Sequence, residues 1–261
     1  MTRGVDPVTT ALIGYGFVGK TFHAPLITAT PGFDLAMVAS SDAAKVHLDL
    51  PEITVTASPI DVMANGDIEL VVIATPNETH LPLARAALEA GKHVVVDKPF
   101  TVTLADARQL VAVAAACQRN LFVFHNRRWD SDFLGVKQVI KNGVLGRVTH
   151  FESHFDRFRP AVRDRWRERS GAGTGLWNDL GPHLIDQALQ LFGLPDRVIA
   201  SMAVQRDGAQ VDDWAHVVLE FGSMRAILHC SVLVAGGSNR FAVHGETGSL
   251  LKRLPDQQEA Q

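Results

Sequence analysis

The segment TTALIGYGFVGKTFHAPL, residues 9–26, decides the fold of the first half of this chain. A short apolar run precedes a Gly-x-Gly-x-x-Gly motif, and a helix-forming pattern follows it. Gly14 permits a tight turn, Gly16 lets the backbone approach a pyrophosphate, and Gly19 lets helix and strand pack closely. A glycine-rich turn without a ligand is the alternative, but the flanking strand and helix favour a dinucleotide-binding loop that includes Phe17 and Val18.

The first half alternates short β-branched runs with helical patterns, which is typical of a parallel sheet covered by crossover helices. Helix starts are indicated at Ser58 and Thr103, and Gly91 ends a helix over 81–90. We therefore predict an α/β Rossmann domain with a doubly wound parallel sheet over residues 1–125. The predicted strands span residues 10–13, 35–39, 70–74, 93–96 and 121–124.

Longer alternating runs replace this rhythm in the second half and predict half-exposed strands. Helices are predicted over 131–141 and 183–192. We expect a substrate-binding and catalytic α+β domain over residues 126–261, with an open, mostly antiparallel sheet. The polar segment PDQQEAQ closes the sequence without a further strand or helix, so this domain is expected to be truncated at its C-terminus. The predicted strands span residues 148–155, 198–204, 215–221 and 226–234.

The composition argues for a soluble protein with a small ligand. Lys and Arg total 25 against 28 acidic residues, and acidic residues also dilute the basic run 157–169, which could still meet an anionic ligand. This balance argues against a nucleic-acid binder. No apolar run is long enough to cross a membrane, and no signal peptide is evident. Cys117 and Cys230 form no disulfide pattern, so a cytoplasmic location is expected.

The end of the second predicted strand bears on the choice of cofactor. An NAD-binding protein usually places a carboxylate there for the adenosine ribose, whereas this chain has Ser40 and Ser41. Their small side chains leave room for a 2′-phosphate, with Lys45 nearby. NADP is therefore favoured over NAD. Asp42 keeps NAD open, because it could reach a ribose hydroxyl, or it could simply cap the next helix.

Two tripeptides follow predicted strands, at the carboxyl edge of the sheet where ligands bind. They are Thr75-Pro76-Asn77 and Asp97-Lys98-Pro99. A proline directly after Lys98 fixes the backbone and aims the lysine. The alternative for Lys98 is an exposed surface lysine near a turn.

The predicted second domain holds a candidate proton-transfer pair. Asp179 and His183 are four residues apart, so on one helix they share a face, and the carboxylate can orient the imidazole. The alternatives are a helix-capping Asp179 and a structural His183. Together with Asp186 the pair could also suggest a metal site. No H-E-x-x-H motif or Cys/His cluster supports that, so no metal is expected.

Five segments carry a family resemblance in combination: GYGFVGKTFHAPL, ATPNETH, VVVDKPF, HNRRWDSDF and GTGLWNDLGPHLIDQ. Through them the chain resembles, over its whole length, the glucose–fructose oxidoreductase/inositol dehydrogenase (Gfo/Idh/MocA) family. HNRRWDSDF and FESHFDRFRPAVRDRWRE are most similar to the branch with NADP-dependent scyllo-inositol dehydrogenases. The resemblance implies a cyclic polyol or sugar substrate.

The resemblance also implies roles for individual residues. Lys98 corresponds to the family's catalytic lysine, with Asp97 in place of the usual glutamate. His183 would be the acid/base, with Asp179 as its partner and a substrate ligand. The residues implied on the nicotinamide side are Thr75, Pro76, Asn77 and His80. Those implied near cofactor or substrate are Asn126, Arg127 and Trp166.

The resemblance also implies a homodimer that forms through the open sheet of the second domain. Members of the family continue beyond the position of Gln261 with more sheet and a helix.

Two other functions stay open at this point. A Rossmann domain fixes cofactor binding but not chemistry, so a non-catalytic dinucleotide-binding sensor is one. A redox-neutral lyase or glycosidase that uses bound NAD is the other. The trio Lys98, Asp179 and His183 favours an oxidoreductase, since a sensor needs no proton-transfer set.

Overall fold

The computed structural model describes residues 6–255 and divides them into two compact units. One unit ends at Phe124 and the other begins at His125. Each unit has its own six-stranded sheet, and helices pack against each sheet.

The first unit is built on an all-parallel sheet. Its strands are β1 (Val8–Ile13), β2 (Phe33–Ala39), β3 (Thr54–Thr56), β4 (Leu70–Ile73), β5 (His93–Asp97) and β6 (Leu121–Phe124). They lie in the order β3-β2-β1-β4-β5-β6, so the strand order reverses between β1 and β4. This is the doubly wound order, and it confirms the predicted Rossmann fold. Ligands bind outside the carboxyl ends of the strands at such a reversal.

Some helices of the first unit begin where a side chain caps a free backbone amide. Ser58 accepts a hydrogen bond from the backbone of Ile60, and Thr103 accepts one from the backbone of Asp106. All four residues of β4 are buried, as expected for a strand covered on both faces. The helices are α1 (Ala24–Ala29), α2 (Ala43–His47), α3 (Pro59–Ala64), α4 (His80–Glu89) and α5 (Leu104–Ala116).

The second unit contains a mostly antiparallel sheet and two helices, α6 (Ser131–Lys141) and α7 (Leu176–Phe192). Its strands are β7 (Val148–Asp156), β8 (Arg197–Ala203), β9 (Trp214–Phe221), β10 (Met224–Ser231), β11 (Phe241–Gly245) and β12 (Ser249–Lys252). The order is β12-β11-β7-β10-β9-β8, and only the β7–β10 pair is parallel. The predicted α+β class is confirmed, but the sequence analysis missed β11 and β12.

One face of this second sheet packs against α7. Phe151 and Phe155 of β7 join Leu180 and Leu184 of α7 in the hydrophobic core. Because successive strand residues point to opposite faces, His150, Glu152, His154 and Asp156 lie on the face away from α7. We call this face the open face. Within residues 6–255, no helix has the length and apolar character needed to span a membrane.

Candidate cofactor and catalytic site

The glycine loop after β1 is shaped by contacts that only glycine allows at two of its three positions. Gly14 has φ +97°, and a Cβ there would collide with the Ala74 carbonyl oxygen. A Cβ on Gly19 would collide with the carbonyl oxygen of Gly14. At Gly16, apart from its chain neighbours, no atom of residues 6–255 lies within 4 Å of where a Cβ would stand. Gly14 and Gly19 therefore build the turn, while Gly16 leaves its outer side open, and this fits a pyrophosphate approaching the backbone.

A cavity of about 370 Å³ lies beside this loop at the carboxyl ends of β1 and β2. It brings together the glycine loop and the predicted ribose-binding residues. A groove with the backbone of the glycine loop on one side and hydroxyls and a lysine on the other suits an anionic dinucleotide. Of the predicted cofactor residues, those lining it are Gly14, Gly16, Ser40, Ser41, Asp42, Lys45 and Thr75. Phe17 and Val18 are not in the lining, and Phe17 is 73% exposed.

Tyr15 also lines this cavity, and the sequence analysis did not single it out. Its hydroxyl donates to Asp49 at 3.2 Å, and Lys20 also binds Asp49 at 2.7 Å. Burial, followed by the hydrogen bond and the charge of Asp49, raises the pKa of Tyr15 to about 12. The Tyr15 side chain therefore stays neutral and anchors the glycine loop to the segment after α2.

Asp42 caps α2, which was the alternative considered for it. Its Oδ1 accepts a hydrogen bond from the backbone of Lys45 at 2.9 Å, and its own backbone N–H donates to Ser40 Oγ at 3.2 Å. One carboxylate oxygen is therefore committed to the helix start.

His80 connects the two loops at the carboxyl edge of the sheet. Its Nδ1 lies 2.9 Å from the Pro99 carbonyl oxygen, and its Nε2 lies 3.0 Å from the Thr75 carbonyl oxygen. The residue is only 1% exposed. With both ring nitrogens occupied and the ring covered, His80 braces the Thr75 and Lys98 loops. Its expected place on the nicotinamide side stays a prediction.

Asp97 and Lys98 mark the end of β5. Asp97 is the last residue of the strand and is buried, with its Oδ1 3.8 Å from Nε2 of His23. Lys98 follows directly and is half-buried, and the Lys98–Pro99 peptide bond is cis. Pro76 is exposed, whereas Asn77 is buried at the start of a 3₁₀ turn, Asn77–Thr79.

Asp179 and His183 lie one turn apart on α7, so they share a side of that helix. The helix was predicted to begin at His183, after Pro182, but it begins at Leu176 and contains Pro182. Gly175 precedes it with φ +97°, and the Asp212 carboxylate accepts a hydrogen bond from the Trp177 amide at 2.7 Å. An acceptor distant in sequence thus stabilises the early start. His183 is buried, 5% exposed.

Two arginines of the basic run 157–169 interact with Asp179. Arg167 Nε lies 3.5 Å from Asp179 Oδ1, and its guanidinium stacks 4.4 Å from the centre of the Trp166 ring. Burial lowers the pKa of Arg157, and the negative charge of Asp179 opposes that shift. The sequence analysis named Trp166, which is 38% exposed, but not these arginines. The density of arginines in this run was the available signal.

The turn Asn126–Arg128 is fixed from several sides. Arg127 donates to Asp130 at 2.8 Å and lies over the Phe155 ring. Arg128 binds both oxygens of Asp186 at 2.6 and 2.7 Å. Asp186 therefore forms an ion pair with Arg128, and this pairing accounts for its carboxylate without a metal ion.

Two family models match the chain. One is described as "Oxidoreductase family, NAD-binding Rossmann fold" and matches residues 8–125. The other is described as "GFO/IDH/MocA C-terminal domain" and matches residues 133–251.

Individual relatives agree with these matches. "Uncharacterized oxidoreductase YdgJ" of Escherichia coli is 57% identical, over 97% of this chain and 73% of the relative. "scyllo-inositol 2-dehydrogenase (NADP(+)) IolW" of Bacillus subtilis is 37% identical, over 98% of this chain and 72% of the relative. A crystal structure from Klebsiella pneumoniae is 61% identical with a TM-score of 0.91, covering 98% of this chain and 71% of that one.

Proposed function

Because this chain belongs to the Gfo/Idh/MocA family of NAD-binding oxidoreductases, we propose that it oxidises a secondary alcohol of a cyclic polyol or sugar, inositol-like, with NADP as the favoured cofactor. The observation that carries this proposal is the placement of Asp179 and His183 one turn apart on α7. Such a carboxylate–imidazole pair suits proton transfer to and from a hydroxyl. The 37% identical relative, which is named a scyllo-inositol 2-dehydrogenase, supports the substrate class.

The proposed roles follow from the chemistry of each side chain. His183 takes the proton of the substrate hydroxyl through a ring nitrogen, and Asp179 orients the imidazole and stabilises its charged form. The Lys98 ammonium stabilises the negative charge that develops on the substrate oxygen. When bound, the nicotinamide supplies the acceptor for the hydride that leaves the carbon. The substrate loses one hydride and one proton and becomes a ketone.

The preference for NADP rests on the adenosine end of the cavity. Ser40 and Ser41 stand where an NAD-specific site usually has a carboxylate, and Lys45 lines the same cavity. The Asp42 carboxylate caps α2, which reduces its availability for a ribose hydroxyl. The name of the Bacillus subtilis relative contains NADP(+), which agrees with this preference.

The proposal is tested by following NADPH formation through its absorbance while the protein is offered inositols, aldoses and their lactones. The same panel is run with NAD in parallel. For the best substrate, Lys98→Met and His183→Ala should each lower turnover by roughly 10²- to 10⁴-fold. Binding of NADPH should persist. The exposed Lys137→Met in α6 is the matched control for the lysine and should keep full turnover.

Turnover near wild type in both Lys98→Met and His183→Ala would contradict the assigned roles. Product formation without net accumulation of NADPH would instead indicate a redox-neutral lyase or glycosidase that uses the cofactor transiently.

We also propose a homodimer that forms through the open face of the second sheet. Ile199, Val218 and Ile227 are register neighbours on β8, β9 and β10, and they form an apolar row across that face. Ile199 is 51% exposed. Covering apolar side chains of this kind favours association. Light scattering should give twice the chain mass, and Ile199→Glu should shift the protein to the monomer.

A further inference from the structure

Three histidines lie side by side on the open face of the second sheet. His154 of β7 is the register partner of His229 of β10, and His229 is the register partner of His216 of β9. Asp156 lies on the same face, two residues after His154. These side chains are separate from the candidate cofactor and catalytic residues, and the proposed dehydrogenase chemistry uses none of them.

His154, Asp156 and His229 bring three metal-ligating atoms within 4.8 Å of one another. His154 Nδ1 lies 3.4 Å from Asp156 Oδ2, and His229 Nε2 lies 3.5 Å from Asp156 Oδ1. Zinc binds nitrogen and oxygen ligands at about 2.0–2.2 Å in a tetrahedral arrangement, which separates neighbouring ligand atoms by roughly 3.4 Å. Each imidazole therefore already lies at about this separation from one oxygen of the Asp156 carboxylate, His154 from Oδ2 and His229 from Oδ1.

The side chains around this triad orient its ligand atoms. His154 directs Nδ1 towards Asp156 while its Nε2 lies 3.0 Å from Glu152 Oε2. Ser238 donates to Asp156 Oδ2 at 2.5 Å. Metal-binding histidines usually engage their second nitrogen with a carboxylate, and metal-binding carboxylates are themselves hydrogen-bonded. His154 has the first feature and Asp156 the second, while the second nitrogen of His229 lies 3.4 Å from Nδ1 of His216.

The other oxygen of Asp156 lacks a comparable partner. Asp156 Oδ1 is buried and makes no hydrogen bond within residues 6–255, and its contact with His229 Nε2 is an ion-pair distance of 3.5 Å. The side chain of Asp156 is only 4% exposed, and that of His229 is 12% exposed. Leaving a buried carboxylate oxygen without a donor is costly, so this oxygen favours a cation beside it.

We propose that His154, Asp156 and His229 bind one zinc-type divalent ion on the open face, with a water molecule as the fourth ligand. Imidazole nitrogens with one carboxylate suit Zn²⁺ better than Mg²⁺ or Ca²⁺, which prefer oxygen ligands. Three protein ligands also leave the fourth position open. The ion ties β7 to β10 and so stabilises the centre of the second sheet.

Cobalt is the probe, because four-coordinate Co²⁺ absorbs visible light and replaces Zn²⁺. The tag-free chain is stripped with EDTA, dialysed and titrated with CoCl₂ near neutral pH. We expect a visible band that saturates at one equivalent per chain and disappears when Zn²⁺ is added. Saturating Zn²⁺ should also raise Tm by roughly 5 °C, as expected for a ligand at about 100 times its Kd.

His229→Gln and Asp156→Asn keep the side-chain size and should weaken Co²⁺ binding by at least about 100-fold, whereas Glu152→Gln should weaken it about 10- to 100-fold. The matched control is His244→Gln on β11, whose Nδ1 binds Ser249 at 2.7 Å outside the triad. It should bind like wild type. Circular dichroism and NADPH binding check that each variant is folded.

Absence of a saturable cobalt band in the wild-type chain overturns the proposal without reference to any variant. Equal affinity in His229→Gln and His244→Gln also overturns it, because the ion then binds elsewhere. A variant that does not fold leaves the wild-type titration and the other two substitutions to decide.

Discussion

Arg167 lies with its Nε 3.5 Å from Oδ1 of Asp179, and the same guanidinium stacks on Trp166. The arginine thus holds the carboxylate that we propose as the partner of His183. We expect Arg167→Gln to lower kcat/KM by roughly 5-fold, the equivalent of about 1 kcal/mol for a partly exposed ion pair. The measurement is steady-state kinetics with the best substrate from the polyol panel.

Arg169→Gln is the control for this change. Arg169 lies two residues after Arg167 in the same run, but it pairs with the exposed Asp164. It should leave kcat/KM unchanged. Equal losses in both variants would show that net charge in the run, and not the contact with Asp179, is responsible.

The cofactor preference predicts a specificity change at the end of β2. Ser40→Asp should weaken NADPH binding at least about 10-fold, because a carboxylate repels the 2′-phosphate, while NADH binding should be maintained or improved. Lys45→Met should weaken NADPH binding about 10-fold through loss of one charged contact, with little change for NADH. Both are measured by fluorescence titration. Parallel losses for the two cofactors would contradict the NADP assignment.

The glycine loop predicts opposite outcomes for two alanine substitutions. Gly19→Ala places a Cβ against the Gly14 carbonyl, so it should lower the free energy of unfolding by about 1–3 kcal/mol. Gly16→Ala meets open space and should change it by less than about 0.5 kcal/mol. Gly16→Ala should nevertheless weaken NADPH binding, since its methyl group occupies the approach to the backbone.

Urea unfolding and NADPH titration on both variants separate the two effects. If Gly16→Ala bound NADPH as tightly as wild type, the pyrophosphate would not approach this side of the loop.

The open face predicts a pH dependence in the metal-free protein. Burial opposes the charged form of His154, but Asp156 and Glu152 outweigh it and raise its pKa above the ordinary value of 6.5. His229 and, through it, His216 lie on the neighbouring strands. A raised histidine pKa stabilises the fold fully below 6.5, and the stabilisation is lost as pH rises through the raised value.

We therefore expect the stability difference between wild type and His154→Gln to be largest near pH 6 and to shrink towards pH 8.5. Urea unfolding at several pH values, with EDTA present, measures it. A difference that stays constant across this range would show that the charge of His154 does not contribute.

Much of the fold follows from local sequence signals. The five apolar runs of the first unit coincide with β1, β2, β4, β5 and β6, whereas the three-residue strand β3 was missed. Ser58 and Thr103 cap helices where the sequence analysis expected helix starts. The exception at α7 has a physical cause. Pro182 is typical of a helix start, but Asp212 accepts a hydrogen bond from the amide of Trp177 and allows the helix to begin about two turns earlier. No local pattern can reveal an acceptor 35 residues away.

Site residues could be predicted where they lie close together in the sequence. They could not be predicted where strand pairing or a loop conformation brings them together in the fold. The glycine loop and the Asp179–His183 spacing are visible in the sequence. Arg167 was noticed only as part of a basic run, because its contact with Asp179 depends on a loop conformation. The metal-binding triad was missed, since His154 and His229 lie on different strands and match no spacing motif. The expectation that no metal binds was argued from Asp179, His183 and Asp186 and did not consider this face.

The parallel pairing of β7 with β10 has a consequence for how the second unit folds. β7 lies between β10 and β11, since His150 pairs with Arg225 on one side and with His244 on the other. The ribosome therefore synthesises β7 before either of the strands with which it pairs. Bringing together strands that are far apart in the sequence costs chain entropy before their contacts can stabilise the fold, and this slows folding. During synthesis both edges of β7 stay unpaired until β10 and β11 have been made, and residues 148–156 are exposed to aggregation over that time.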